Sequence, residues 1–229
     1  MMRSLLEIRR SADLGRTCKG PLVGIHHFSF AGFQDPRWIE WGLLRAVHRY
    51  RLTAGGEREP AHYAGFDVLT LVESGRLIRT GNFEQREALV KGSAEVVQAG
   101  SGALIGERAG RAEDAIFTEI WLKSSNAAAA RRSYLASPGA SIRTTVASDQ
   151  ASGSALRLTS PATVERIMFQ PGERRAVVNS DHRRSYIVIL SGSGRLQGEV
   201  IQSGDAAALL GSLSDFDADE PSELLVVHC

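Results

Sequence analysis

The strongest chemical signal in the chain is the stretch Ala99-Gly100-Ser101-Gly102-Ala103-Leu104-Ile105-Gly106-Glu107. Glycines set a turn, and the short strand that follows carries a carboxylate. Residues two apart on a strand share a face, so Ile105 and Glu107 point the same way. A metal centre inside a β-barrel wants a His-x-Glu pair there, with imidazole and carboxylate side by side. Here an isoleucine stands where the histidine would be, and only Glu107 keeps a donor atom.

The other chemistry-bearing side chains are scattered. His26 and His27 are adjacent and so point to opposite faces of a strand, and His27 reads as a structural residue at the start of a barrel. His48 lies in an alternating strand and reads as a surface or subunit-facing residue, and His182 reads as a loop histidine. His228 beside Cys229 offers two ligands at a chain end, too few for a zinc centre. Asp215, Asp217, Asp219 and Glu220 read as a solvated acidic loop, with weak calcium binding as the alternative. No nucleophile stands out: Ser101 sits in a Gly-Ser-Gly turn rather than a nucleophile elbow. Gly192-Ser193-Gly194 lacks the helix that a phosphate loop needs. Trp38, Trp41 and Trp121 read as core or edge packing.

Two loosely repeated halves must position these residues. Arg51 to Arg58 leads into Asp67-Val68-Leu69-Thr70-Leu71-Val72-Glu73-Ser74-Gly75 in the first. Met168 to Arg174 leads into Ser185-Tyr186-Ile187-Val188-Ile189-Leu190-Ser191-Gly192 in the second. Each half then reaches a glycine turn and another β-rich run, Lys91 to Val97 and Ser203 to Leu210. β-Branched runs bounded by Gly, Ser and Pro predict short strands. Residues 124–155, rich in Ala, Ser and Gly, read as a linker, and the alanines of Asn126 to Tyr134 predict one or two helical turns.

Composition narrows the function classes. The chain has 229 residues, 43% hydrophobic and 23% charged, and a net charge of +1. That balance gives no electrostatic footprint for nucleic acid or an anionic membrane. The arginine pairs Arg131-Arg132, Arg174-Arg175 and Arg183-Arg184 read as solvated surface, with a weak anion site as the lesser alternative. Cys18 and Cys229 make no disulfide framework and read as ordinary thiols. No segment has the ~18 apolar residues of a membrane span, and Met1 to Arg16 lacks the apolar core of a signal peptide. A cytoplasmic protein is expected.

Several landmarks, in order, resemble the pirin family of the cupin superfamily. They are Ser11-Ala12-Asp13-Leu14-Gly15, then His27-Phe28-Ser29-Phe30-Ala31 with Asp35-Pro36, then Leu52-Thr53-Ala54-Gly55-Gly56. Ala99-Gly100-Ser101-Gly102 and Glu119-Ile120-Trp121-Leu122 follow. The resemblance implies an all-β fold of two tandem cupin (jelly-roll) barrels with few short helices. The expected divisions are an N-terminal cupin at 1–123, a linker at 124–155 and a C-terminal cupin at 156–229.

Pirins hold a metal in the first barrel through three histidines and a glutamate. Carried over by position, Ala61 and Tyr63 stand at the His-x-His pair, and Ile105 and Glu107 at the His-x-Glu pair. His62 falls between the first two and is expected on the opposite face, unless a one-residue bulge after it turns it inward. The resemblance thus implies a pirin with a degenerate metal site, without catalytic residues or a cofactor, beyond a weakly held divalent metal. Its expected ligand pocket is lined by Ala61, His62, Tyr63, Ile105 and Glu107. A buried carboxylate needs a donor or a raised pKa, and Tyr63 or a backbone amide is expected to donate to Glu107. A non-catalytic small-molecule-binding or sensor protein is the expected function. The alternatives are a metal-dependent quercetin 2,3-dioxygenase and a protein-interaction cofactor. A small molecule or a protein is the expected partner, with no direct nucleic acid and no membrane.

Overall fold

A chain of short alternating runs cut by glycine turns has little choice but to pair strands. The computed structural model describes residues 5–84, 88–136, 141–178, 184–211 and 213–229. His182 and Arg183 lie outside the described residues. In chain order the first strands are β1 (Leu5–Arg9), β2 (Gly15–Lys19), β3 (Leu22–His26), β4 (Leu44–Leu52), β5 (Glu57–Tyr63) and β6 (Phe66–Ser74). Then come β7 (Arg76–Gly81), β8 (Leu89–Val90), β9 (Ala94–Gln98), β10 (Ala103–Ala109), β11 (Ala115–Lys123) and β12 (Arg131–Leu135). Next are β13 (Arg143–Ser148), β14 (Leu156–Arg157), β15 (Thr163–Phe169), β16 (Arg174–Val178) and β17 (Arg184–Ser191). Last are β18 (Ser193–Leu196), β19 (Glu199–Gln202), β20 (Ala206–Leu210), β21 (Ser214–Ala218) and β22 (Ser222–His228). A 3-10 turn at Ser11–Asp13 is the only helical element among the described residues. None of their helices is long and apolar enough to cross a membrane.

The strands form two jelly-roll units. One comprises Gly15–Pro138 and Ala147–Pro161. Its sheets run β12-β9-β6-β11-β4-β3-β2 and β5-β10-β7-β8. The other comprises Met1–Leu14, Gly139–Val146 and Ala162–Cys229. Its sheets run β1-β20-β17-β22-β15-β13 and β16-β21-β18-β19. Ile167, Phe169, Ile187, Ile189, Phe216, Leu224 and Val226 fill it.

Three features differ from the sequence expectation. First, β1 pairs with β20, from Leu5 opposite Leu210 to Arg9 opposite Ala206. The chain therefore starts in the second barrel rather than the first. Asp205, 2% exposed, fixes this start by accepting from the Ser11 amide at 2.8 Å and Arg10 Nη1 at 3.0 Å. Second, residues 147–161 belong with the first barrel. Buried Asp67 accepts from the amides and hydroxyls of both Thr159 and Ser160, at 2.7–2.9 Å. Third, Asn126 to Tyr134 forms no helix, and β12 pairs antiparallel with β9, Arg131 opposite Gln98. Four alanines cannot offset helix nucleation, whereas the edge of β9 offers open backbone groups. Ser124 Oγ and Asn126 Oδ1 accept the Asn126 and Ala128 amides and shape the entry turn.

Candidate functional site

Strand register sorts the interior of the first barrel into layers. On the large sheet, His26 lies opposite His48, His48 opposite Glu119, Glu119 opposite Thr70, and Thr70 opposite Glu95. That is one row of five inward-facing residues across β3-β4-β11-β6-β9. On the small sheet Glu107 lies opposite both Arg79 and Arg58, a second row that faces the first. On one side of this polar layer lie Leu52, Val72, Leu77, Leu89, Ala115 and Phe117. On the other lie Tyr63, Val68, Val97, Ala99, Ala103 and Ile105, with Trp121 against them.

The two rows are joined by ion pairs. Arg58 Nε and Arg79 Nη1 donate to the two oxygens of Glu107. Arg58 Nη2 reaches across to Glu119 Oε2 at 2.7 Å, and Trp121 Nε1 donates to Glu119 Oε1 at 2.8 Å. Arg79 Nε donates to Glu95 Oε2 at 2.6 Å and Arg79 Nη2 to Thr70 Oγ1 at 2.9 Å. Arg132 Nε donates to the remaining oxygen of Glu95. Three carboxylates, all 0% exposed, thus meet three guanidiniums, and the layer is electrically balanced. Burial opposes the charge on Arg58, but Glu107 and Glu119 outweigh it and hold its pKa well above the ordinary value. Burial, reinforced by the Glu119 charge, pushes the Tyr63 hydroxyl up.

Arg58 reaches this layer through a bulge. Tyr63, His62 and Ala61 pair in step with Ala103, Leu104 and Ile105, and then Glu107 pairs with Arg58. Two steps on β10 match three on β5, so the extra residue falls at Glu59-Pro60. Without it, strand alternation would turn Glu59 inward and Arg58 out to solvent. Proline lacks the ladder donor and suits such a position on an edge strand. Gly106 lets the bulge close: a Cβ there would lie 2.8 Å from Arg58 O and from Pro60 N, and 2.5 Å from Thr80 Oγ1. Gly106→Ala is therefore expected to cost about 1–3 kcal/mol, read as a lower urea midpoint. Leu104→Ala on the exposed face should stay within ~0.5 kcal/mol.

The structure brings together some of the residues predicted for the pocket and not others. Tyr63, Ile105 and Glu107 are buried and face the barrel interior. Ala61 is opposite Ile105 but exposed. His62 is also exposed, opposite outward-facing Leu104. The bulge that would have rescued it lies at Glu59-Pro60 instead. The expected donors to Glu107, Tyr63 or a backbone amide, are replaced by Arg58 and Arg79. Tyr63 packs edge-on against Trp121, with ring centroids 5.0 Å apart. Arg132 also departs from expectation, since it turns inward to Glu95 rather than into solvent.

This donor set does not suit a metal. Of the four positions at which pirins carry ligands, Ala61 and Ile105 offer no donor, Tyr63 offers a phenol whose proton burial holds in place, and both oxygens of Glu107 are held by guanidiniums. Among the described residues no three His, Cys, Asp or Glu side chains cluster as a cation site. A shallow, open surface depression of about 470 Å³ lies beside the layer, lined by Phe83, Glu84, Ala130, Arg131 and Arg132.

His48 proves to be a core residue, 0% exposed, rather than a surface or subunit-facing one. Its Nδ1 lies 2.8 Å from His26 Nδ1, and His26 Nε2 lies 2.9 Å from Thr17 Oγ1. One histidine donates and the other accepts, so the two cannot both be charged. Burial lowers the His26 pKa to about 4. Burial first, and then the charges of His26 and Arg58, hold His48 well below 6.5. His27 is likewise buried, its amide donating to Val47 O at 3.1 Å. In the second barrel His228 is bonded to Ser185 Oγ at 2.9 Å and Glu165 Oε2 at 3.2 Å. The acidic run is no loop at its start: Asp215 and Asp217 lie on β21, and both pair with Arg174.

Sequence reasoning missed Arg58, Arg79, Glu95, Glu119 and Arg132. Their signal was charge at even spacing within apolar strands: Arg79 between Leu77 and Gly81, and Glu119 between Phe117 and Trp121.

Comparison with known proteins agrees with this architecture. Residues 145–228 match the model described as the quercetinase C-terminal cupin domain. A putative quercetin 2,3-dioxygenase of Pseudomonas aeruginosa is 25% identical over 98% of this chain and 99% of its own length. A pirin-like protein of Caulobacter vibrioides is 24% identical over 93% of this chain and 95% of its own. A bacterial pirin of Escherichia coli, solved in complex with nickel(II), superposes with a TM-score of 0.91 at 21% identity, covering 98% of each chain. Barrel order, landmarks and these likenesses converge on one architecture: the chain has the two-barrel bicupin fold and is similar to pirins along nearly its whole length.

Proposed function

We propose that this pirin-like protein works without a resident metal in its first barrel, as a small-molecule-binding or sensor protein with a degenerate metal site. The observation that carries the reading is the engagement of Glu107 by Arg58 and Arg79. A divalent cation there would need deprotonated, unoccupied donors. It would have to displace two buried guanidiniums and would gain one carboxylate. The open depression beside Arg132 is a surface on which a small molecule could rest, and the Arg132–Glu95 pair links its wall to the ionic layer. Elemental analysis of the purified protein is expected to find less than about 0.1 equivalent of iron, nickel, manganese, zinc or copper, given that donor set. One equivalent held in the first barrel would overturn the reading.

The names of the relatives favour a second reading, a quercetin 2,3-dioxygenase-like enzyme. It requires oxygen uptake with quercetin in the presence of added iron, nickel, manganese or copper, lost in Glu107→Ala. No uptake is expected, because the residues that would hold the metal are Ala61, Tyr63 and Ile105.

A further inference from the structure

The surroundings of Arg58 are those of a bound cation. Its guanidinium carbon lies 4.8 Å from the Tyr50 ring centroid and 6.0 Å from that of Phe117. Glu107 and Glu119, both 0% exposed, supply the carboxylates, and the Trp121 indole holds Glu119 from behind. Two buried anions and two aromatic faces are the elements with which proteins recognise organic cations. Beside them is an unused polar atom: His48 Nε2 is buried and has no hydrogen-bond partner among the described residues. His48 lies opposite Glu119 in the strand register, and the Arg58 charge acts on its ring.

Resting on the reading that no metal resides in this barrel, we propose that its interior is an organic-cation cage and that the Arg58 guanidinium is its tethered occupant. Two features separate Arg58 from Arg79. Arg58 enters from an edge strand through a bulge, and its side chain is 14% exposed. Arg79 is 1% exposed and bonded to Glu95, Glu107 and Thr70, so it stays as a structural counter-ion when Arg58 is removed. The vacated cage then presents one oxygen of Glu107, the Glu119 carboxylate, two ring faces and His48 Nε2. A small planar cation with several N–H groups matches that set. A divalent metal would find two carboxylates and one imidazole nitrogen that, among the described residues, do not cluster as a cation site.

The test is chemical rescue of the full-length Arg58→Ala protein with methylguanidinium. Thermal midpoints are measured from 0 to about 20 mM ligand, a range chosen for weak binding, with matched potassium chloride as control. Arg58→Ala should melt lower than the unmodified protein. Methylguanidinium should restore at least a third of that shift saturably, leave the unmodified protein unmoved, and fail with Arg58→Ala/Glu119→Gln. Should Arg58→Ala not fold, Arg58→Gln, which keeps much of the stem, is titrated in its place. No saturable recovery in either variant, or an equal rise in the unmodified protein, overturns the proposal. Recovery with nickel(II) or manganese(II) but not methylguanidinium also overturns it, since the cage would then be a latent metal site. Metal content of the unmodified protein, measured separately, tests the underlying reading.

Discussion

Glu107→Gln should lower the stability of the first barrel by about 3–5 kcal/mol, the usual cost of removing one partner from a buried ion pair. At this chain length that is a fall of roughly 10 °C in thermal midpoint. The substitution barely changes volume, so the loss is electrostatic. Glu119 is then the one carboxylate left to Arg58 and Glu95 the one left to Arg79, and both arginines remain charged because burial cannot neutralise a guanidinium held by a carboxylate. The loss should be the same with and without a chelator. Were Glu107 chiefly a metal ligand, the unmodified protein would lose stability in chelator and the variant would not. A shift below ~1 kcal/mol would mean that Glu107 is not buried between the two arginines.

The second large effect is with pH. His26 and His48 are neutral in the folded barrel, with the His26 pKa lowered to about 4 and His48 well below its ordinary 6.5. The unfolded chain takes up protons near pH 6.5. Below that value it binds more protons than the folded chain, so stability falls as pH falls. The histidine contribution is therefore fully present above pH 6.5 and is lost between 6.5 and about 4. For His26 alone the change is on the order of 3 kcal/mol, and His48 adds to it in the same direction. His48→Phe, close in size and shape, should flatten this acid limb in urea unfolding at pH 7, 5.5 and 4.5. An unchanged slope would show that His48 has the same pKa folded and unfolded, against its burial.

Much of the architecture was legible along the chain. Glycine turns, alternating strands and the ordered landmarks from Ser11 to Leu122 carry the two-barrel fold, because local turn chemistry and period-2 burial repeat whatever the partner strands do. Period-2 alternation also placed Ile105 and Glu107 on one inward face and His62 on the other. Other features depended on partners distant in sequence. Alanine propensity in Asn126 to Tyr134 gave way to the open edge of β9, and β1 crossed to the second barrel because Ala206 to Leu210 offered a matching edge.

The site itself was decided in three dimensions. By strand parity Arg58 belongs outside, and a single extra residue at Glu59-Pro60, admitted by Gly106 on the neighbouring strand, turns it in. Arg79, Glu95 and Glu119 look like surface charges one at a time. Only register sets them in facing rows where each offsets the burial of the next. Sequence alone determined that a carboxylate stands inside the first barrel without the usual histidines. Tertiary structure decided what neutralises it, because a buried charge takes whichever counter-charge the fold brings within hydrogen-bonding reach, and here that is a pair of arginines.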